Sequence, residues 1–320
     1  SPLFFSAKQM TEVLSFKPLI EHLRQSHCQT PALVERALLQ QNNQNGVQNN
    51  LLVWPAWQKG GDIGTKLVTV FPDNQHLPSV QALYVLMSGQ NGSVKALLDG
   101  TELTYWKTAA DSALGADYLA RQDASTFLMV GAGHLAPYLI KAYLAIRPQL
   151  KRILIWNRTH AKADLLAQKL VQQLATNLQM EAIEDLQTAA QQADIICCAT
   201  NSYEPLLKGA WLQAGQHLDL VGSYTPQMRE VDDQAIQRSS VYVDSRWFTI
   251  DCAGDLTQPI ANGVFKAEQV VADLFELCSQ QKPGRTSPQQ ITLFKSGGGA
   301  HLDLMTASYV AQMGLANSAS

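Results

Sequence analysis

The sequence predicts an α/β fold in which a doubly wound, parallel-sheet domain is joined to a mixed α+β domain. Three observations carry that expectation. From Thr126 onward short apolar runs alternate with helix-period segments, as in a parallel sheet covered by helices on both faces. At the head of that region the apolar run Phe127-Leu128-Met129-Val130 breaks into Gly131-Ala132-Gly133-His134-Leu135-Ala136 and then into a helical stretch ending near Arg147. Ahead of it, strand-like runs between residues 51 and 99 are separated by the turn signals Pro72-Asp73-Asn74 and Gly89-Gln90-Asn91-Gly92, as in an antiparallel-type sheet.

A Gly-x-Gly-x-x-Ala turn between strand and helix is the phosphate-binding turn of a Rossmann-type nucleotide domain. Gly131 permits the tight turn, and Gly133, lacking a Cβ, lets a pyrophosphate approach the backbone and the helix N-terminus. Ala136 still allows close helix–strand packing. The next strand, Arg152 to Trp156, runs into Asn157-Arg158-Thr159. NAD enzymes usually place Asp or Glu there for the ribose 2′-OH; a guanidinium and a hydroxyl suit a 2′-phosphate instead. NADPH is therefore expected in preference to NADH. A Thr159 helix cap beside a solvated arginine fits the same residues.

The chain has 320 residues, 46% hydrophobic and 16% charged, enough for a sizeable core in one large or two ordinary domains. A net charge of −3 makes no electrostatic case for nucleic acid or an anionic membrane. No apolar run reaches the ~20 residues of a membrane helix, and no secretory leader is visible. Five cysteines without paired spacing, with Cys197-Cys198 in an apolar run, fit buried thiols in a reducing cytoplasm and neither a structural zinc nor a disulfide frame. No metal is expected.

In order, the pattern reads as mostly helical from Met10 to Leu39, and as a Gln/Asn-rich loop over 40–50. Strands follow over 51–54, 64–71, 81–87 and 94–99, then an alanine-rich helix over 104–121. In the nucleotide region strands are expected at 126–130, 152–156, 194–199, 217–221, 241–244 and 291–295. Helices are expected at 133–146, 159–176, 185–192 and 266–279, with a terminal helix over 301–313 that packs back on the first domain. The expected domains are 1–118 plus 296–320 for substrate and dimerisation, and 119–295 for the dinucleotide.

Four further segments bear chemistry. Lys66 sits in the apolar strand Gly64 to Phe71; alternation favours an exposed strand face, and a polar cavity is the functional alternative. Lys107, at a helix start, opposes the helix dipole, which an intervening substrate carboxylate would relieve; a surface lysine fits the residues more simply. Thr200-Asn201, at a strand's carboxyl end, can hydrogen-bond a cofactor or simply turn the chain. Val221-Gly222 would let a nicotinamide approach, with Ser223 or Tyr224 against the substrate. The candidate catalytic set is Lys66, Lys107 and Ser223. The candidate cofactor set is Thr108, Gly131, Ala132, Gly133, His134, Leu135, Asn157, Arg158, Thr159, Thr200, Asn201, Val221 and Gly222.

Six blocks in order resemble the ornithine cyclodeaminase/mu-crystallin family. They are Trp54-Pro-Ala…Gly-Thr-Lys66, Lys107-Thr-Ala-Ala, Gly131-Ala-Gly133, Cys198-Ala-Thr200, Val221-Gly-Ser-Tyr-Thr-Pro-Gln-Met-Arg-Glu230 and Ile291-Thr-Leu-Phe-Lys-Ser-Gly-Gly298. The resemblance implies that Lys66 and Lys107 hold a substrate carboxylate beside the nicotinamide, in a cleft between two domains, and that the first domain's sheet builds a homodimer. Lysine replaces the usual arginine at 107, and residues 40–53 lack the arginine many members carry there. Cyclodeaminases and related alanine dehydrogenases have an aspartate near 223–224, where Ser223 and Tyr224 stand. Without that carboxylate, the chain looks more like the cyclic ketimine reductases acting on pyrroline-2-carboxylate or piperideine-2-carboxylate. The implied activity is NADPH-dependent reduction to L-proline or L-pipecolate, in proline metabolism. The alternatives are an NAD-dependent cyclodeaminase or alanine dehydrogenase, and a non-catalytic NADPH-binding, crystallin-like protein.

Overall fold

The computed structural model describes residues 2–174 and 178–318. It contains two compact units, Ser1–Thr108 with Gly299–Ser320, and Ala109–Gly298. The first begins with β1 (Leu3–Phe5), α1 (Ala7–Val13) and α2 (Phe16–Ser26). There follow β2 (Leu33–Val34), β3 (Ala37–Asn42), β4 (Gln48–Trp57), β5 (Ile63–Val70), β6 (Val80–Met87) and β7 (Val94–Asp99). Their order in one sheet is β1-β7-β6-β5-β4-β2, with β3 also pairing β4. All pairs are antiparallel except β1 with β7. The helix α3 (Gly100–Leu119) crosses from the first unit to the second after Thr108, whereas the expected join at 118/119 lies at its far end.

Two expectations about this unit change. The stretch read as helical to Leu39 leaves the helical period after α2, and residues 33–34 and 37–42 pair with β4. The Gln/Asn segment 40–50 is mostly a hairpin and not a loop. Gln40 pairs opposite Asn50, and its amide donates to Gln48 Oε1 and Asn50 Oδ1 at 3.0 Å. Asn43 Oδ1 accepts from the Asn45 and Val47 N–H groups at 2.9 and 3.0 Å, and Gly46 takes φ +77°. Asn and Gln have low strand preference, but pairing along the long β4 outweighs it.

The second unit contains β8 (Thr126–Val130), α4 (Ala136–Ile146), β9 (Arg152–Trp156), α5 (His160–Leu174), β10 (Gln179–Ile183), α6 (Leu186–Gln192), β11 (Ile195–Cys198) and β12 (His217–Leu220). It continues with α7 (Asp233–Arg238), β13 (Ser240–Val243), α8 (Arg246–Thr249), α9 (Gly254–Ala261), β14 (Ala272–Asp273), α10 (Leu274–Cys278) and β15 (Thr292–Lys295). The sheet is parallel throughout, in the order β10-β9-β8-β11-β12-β15-β13-β14. Strand order reverses between β8 and β11, so their carboxyl ends flank the switch point where such sheets bind ligands. The helix expected over 159–176 is α5; residues 175 and 176 lie outside the described residues. In place of one helix over 266–279, the short β14 joins the sheet before α10, whose capping box links Asp273 and Glu276.

The chain returns to the first unit as α11 (Ala300–Ser318), which packs on α2 and across β4, β5 and β6. It covers the sheet face carrying Lys66, Tyr84, Leu86 and Leu98, all buried. The alternate positions Leu51, Val53, Leu67, Val85 and Leu97 are only half-buried, and Leu83 and Trp57 are exposed.

Candidate active site

The second unit forms a pocket at the switch point. Its lining includes Gly131, Ala132, Gly133, Asn157, Arg158, Thr159, Lys162, Thr200 and Asn201. Gly131 has φ 111°, and a Cβ there would press on the Ala199 carbonyl, so both conformation and space require glycine. Gly133 is different: no protein atom lies within 4 Å of where its Cβ would stand. No side chain caps α4, whose N-cap is Leu135, leaving the positive end of its dipole for an anion. Open backbone ahead of an uncapped helix fits a pyrophosphate. Asn157 braces this turn, accepting from Ala132 N at 3.2 Å and donating to Thr159 O at 3.0 Å. Arg158 and Thr159 are exposed, as is Lys162, a third polar group here that the sequence pattern did not single out. His134 and Leu135 lie in the turn itself, whereas Thr108 is half-buried on α3, in the other unit.

The first unit holds a cationic cluster built on two buried lysines. Lys66 is 3% exposed, not on an exposed strand face, because α11 covers that side of β5. Its Nζ lies 2.8 Å from Asp303 Oδ2 on α11 and 4.8 Å from the Trp54 ring centre. Thr104 Oγ1 is 3.5 Å from the same nitrogen. Burial pulls the Lys66 pKa down, Asp303 pushes it back up, and Lys107 and Arg36 lower it further. Lys107 is 4% exposed, so it too is not a surface lysine. Arg36 lies 5.4 Å from the Trp54 ring centre. An arginine thus reaches the cluster from the connection between β2 and β3, outside the 40–53 window. His301 is buried beside His27, ring centres 6.0 Å apart; burial, then His27, Lys107 and Arg36, hold it well below its ordinary pKa.

Lys66 and Arg36 over one indole, with Lys107 close enough to act on Lys66 and Asp303 paired with it, make a site suited to an organic anion. Asp303 was not among the expected residues. Its signal is an acid inside the apolar helix Leu302-Asp303-Leu304, a costly placement unless a cation meets it.

Ser223 departs from expectation. It is fully buried, its Oγ donating to Met228 O at 2.8 Å and accepting from Asp255 N at 3.3 Å. The hydroxyl pins the loop after β12 and is not presented to a substrate. Tyr224, beside it, is exposed. Val221 N donates to Cys198 O at 2.8 Å, tying the end of β12 to β11. Cys197 and Cys198 are buried, and no His/Cys/Asp/Glu group among the described residues could hold a metal. None of the described helices is long and apolar enough to cross a membrane.

Fold and site define a two-unit protein with a dinucleotide-type pocket in one unit and a cationic cluster with two buried lysines in the other. The chain belongs to the ornithine cyclodeaminase/mu-crystallin family, whose model matches residues 7–317. It is 41% identical to Protein SAR DEFICIENT 4 of Arabidopsis thaliana, over 97% of this chain and 96% of that one. It is 39% identical to the Delta(1)-pyrroline-2-carboxylate reductase of Paracoccus denitrificans, over 98% and 97%. Among solved structures, the Thermococcus litoralis Delta(1)-pyrroline-2-carboxylate reductase, in complex with NADH and L-proline, superposes with TM-score 0.90 at 28% identity, covering 99% of this chain and 98% of that one.

Proposed function

We propose that this protein is an NADPH-dependent oxidoreductase that reduces a cyclic ketimine carboxylate, pyrroline-2-carboxylate or piperideine-2-carboxylate, to L-proline or L-pipecolate. The observation that carries the reading is the buried pair Lys66 and Lys107, with Lys66 and the exposed Arg36 both over the Trp54 ring. The names of the relatives support the same chemistry. Arg36 and Lys107 hold the substrate carboxylate. Lys66, kept charged by Asp303 against burial, gives the ring nitrogen its proton, because an iminium accepts hydride far better than a neutral imine. The dihydronicotinamide, when bound, supplies the hydride to the C=N carbon. Positioning and a fixed field provide most of the acceleration.

Gly131 to Leu135 hold the pyrophosphate, Arg158 and Thr159 with Lys162 the 2′-phosphate, and Thr200, Asn201, Val221 and Gly222 the nicotinamide side. Thr108 orients groups around the ring. With Ser223 internally bonded and Tyr224 no carboxylate, the chain lacks the acid a cyclodeaminase needs at this turn. The half-buried apolar face of the first unit's sheet, opposite α11, is the homodimer surface.

The test is loss of reduced-nicotinamide absorbance with each imine, using NADPH and NADH, beside Lys66→Ala. Turnover with NADPH exceeding NADH, falling at least ~100-fold in the variant, is the expected result. Ammonia release from ornithine or alanine with NAD⁺, and silence with both imines, would overturn it.

A further inference from the structure

One buried carboxylate holds the ends of β11 and β12 together. Glu230 Oε1 accepts from Thr200 N at 2.7 Å and from Thr200 Oγ1 at 2.8 Å, and its Oε2 accepts from Gly222 N at 2.8 Å. The residue is fully buried. A Cβ on Gly222 would collide with both the Thr200 carbonyl and Glu230 Oε1, so the two strand ends approach as closely as glycine allows. Glu230 is itself held from behind: its N–H donates to Asp255 Oδ1 at 2.8 Å. Its carboxylate cannot meet a ligand, yet Thr200 and Asn201 line the switch-point pocket and Val221–Gly222 is the loop the sequence pairs with them for the dinucleotide.

We propose that Glu230 is a positioning residue for the dinucleotide. Its ionised carboxylate locks Thr200–Asn201 and Val221–Gly222 in the binding arrangement, and protonation releases the lock and weakens binding. The proposal rests on reading those two loops as part of the dinucleotide site. An ionised carboxylate only accepts hydrogen bonds, which suits the three donors aimed at it. Protonation removes the charge that strengthens all three bonds, and an O–H on Oε2 would face the Gly222 N–H and lose that bond.

The groups around Glu230 place this change near neutrality. Burial, then Asp255 on α9, push the carboxyl up to about 7, while Lys295 on β15 and the Thr200 hydrogen bonds oppose that rise. Lys295 Nζ donates to Leu220 O at 2.9 Å and lies 3.8 Å from Asp255 Oδ2. Asp219 on β12 is engaged with Tyr143, Cys197 and Ser112. On β11, burial raises the Cys197 and Cys198 thiols well above their ordinary range, so they stay neutral throughout.

The experiment is fluorescence titration with NADH, whose lack of a 2′-phosphate removes one competing ionisation, between about pH 6 and about pH 8.5. Wild type and Glu230→Gln are compared. The wild-type Kd should rise below neutrality by up to about tenfold per pH unit. Glu230→Gln should bind about tenfold more weakly than wild type at the alkaline end, with a flat profile. A variant that keeps the wild-type profile overturns the proposal. A wild type that binds NADH equally at every pH also overturns it. A wild type that binds neither NADH nor NADPH, even at the alkaline end, overturns the dinucleotide reading itself. Should Glu230→Gln fail to fold, amide exchange in the wild type decides: protection of Thr200 and Gly222 must fall as pH is lowered through neutrality, and unchanged protection sinks the idea.

Discussion

At the scale of single residues, the proposed chemistry turns on how one acid sets one lysine. Asp303 raises the pKa that burial lowers at Lys66. Asp303→Asn removes that support, so Lys66 loses its proton at a lower pH. The alkaline limb of kcat/KM should move to lower pH, with kcat reduced about tenfold or more. An unmoved limb would show that Lys66 is not the proton source. Arg36→Gln should raise KM for the imine carboxylate about tenfold with little change in kcat, as loss of a ground-state contact does.

Asp219 gives a stability prediction. Burial pushes its carboxyl up to about 6, against hydrogen bonds from Cys197, Tyr143 and Ser112. Between that value and the unfolded one, the folded chain holds a proton the unfolded chain has released. Its contribution therefore grows as pH falls. In urea titrations, the stability of wild type relative to Asp219→Asn should increase from about pH 7 to about pH 4.5. A constant difference would refute this.

At the scale of elements, the β8–turn–α4 unit separates folding from binding. Gly131 is demanded by its own backbone, whereas Gly133 has open space where a side chain would go. Gly133→Ala should leave unfolding stability within about 0.5 kcal/mol, since its Cβ meets no protein atom within 4 Å. Yet it should weaken dinucleotide binding at least ~100-fold by occupying the pyrophosphate's approach. A calorimetric scan beside a binding titration checks both halves. The local pattern made this turn legible because strand, glycine spacing and helix are contiguous. The β3–β4 hairpin was not legible, because its polar residues are held by register against β4 and by the Asn43 turn.

At the scale of the whole molecule, one sheet face of the first unit is closed by α11 and the other is left half-exposed and apolar through Leu51, Val53, Leu67 and Val85. This is the face the proposed homodimer would cover. Light scattering should give twice the 35.1 kDa chain mass, and Leu83→Glu, in the middle of that face, should shift the population to monomer. A wild-type monomer at micromolar concentration would refute the dimer.

The sequence by itself determined the parallel nucleotide fold, its phosphate turn, the Asn157-Arg158-Thr159 strand end and the ordered blocks of the family. Each is written in neighbouring residues, where period and glycine spacing act directly. Only the tertiary structure decided that Lys66 and Lys107 are buried, that Arg36 and Asp303 join them, that Ser223 is spent on its own loop, and that Glu230 clasps two strand ends. The physical reason is range. A strand's alternation says which side chains share a face, but what covers that face is set by α11, which arrives from the other end of the chain. A buried charge reads as an error until the partner that satisfies it is in place.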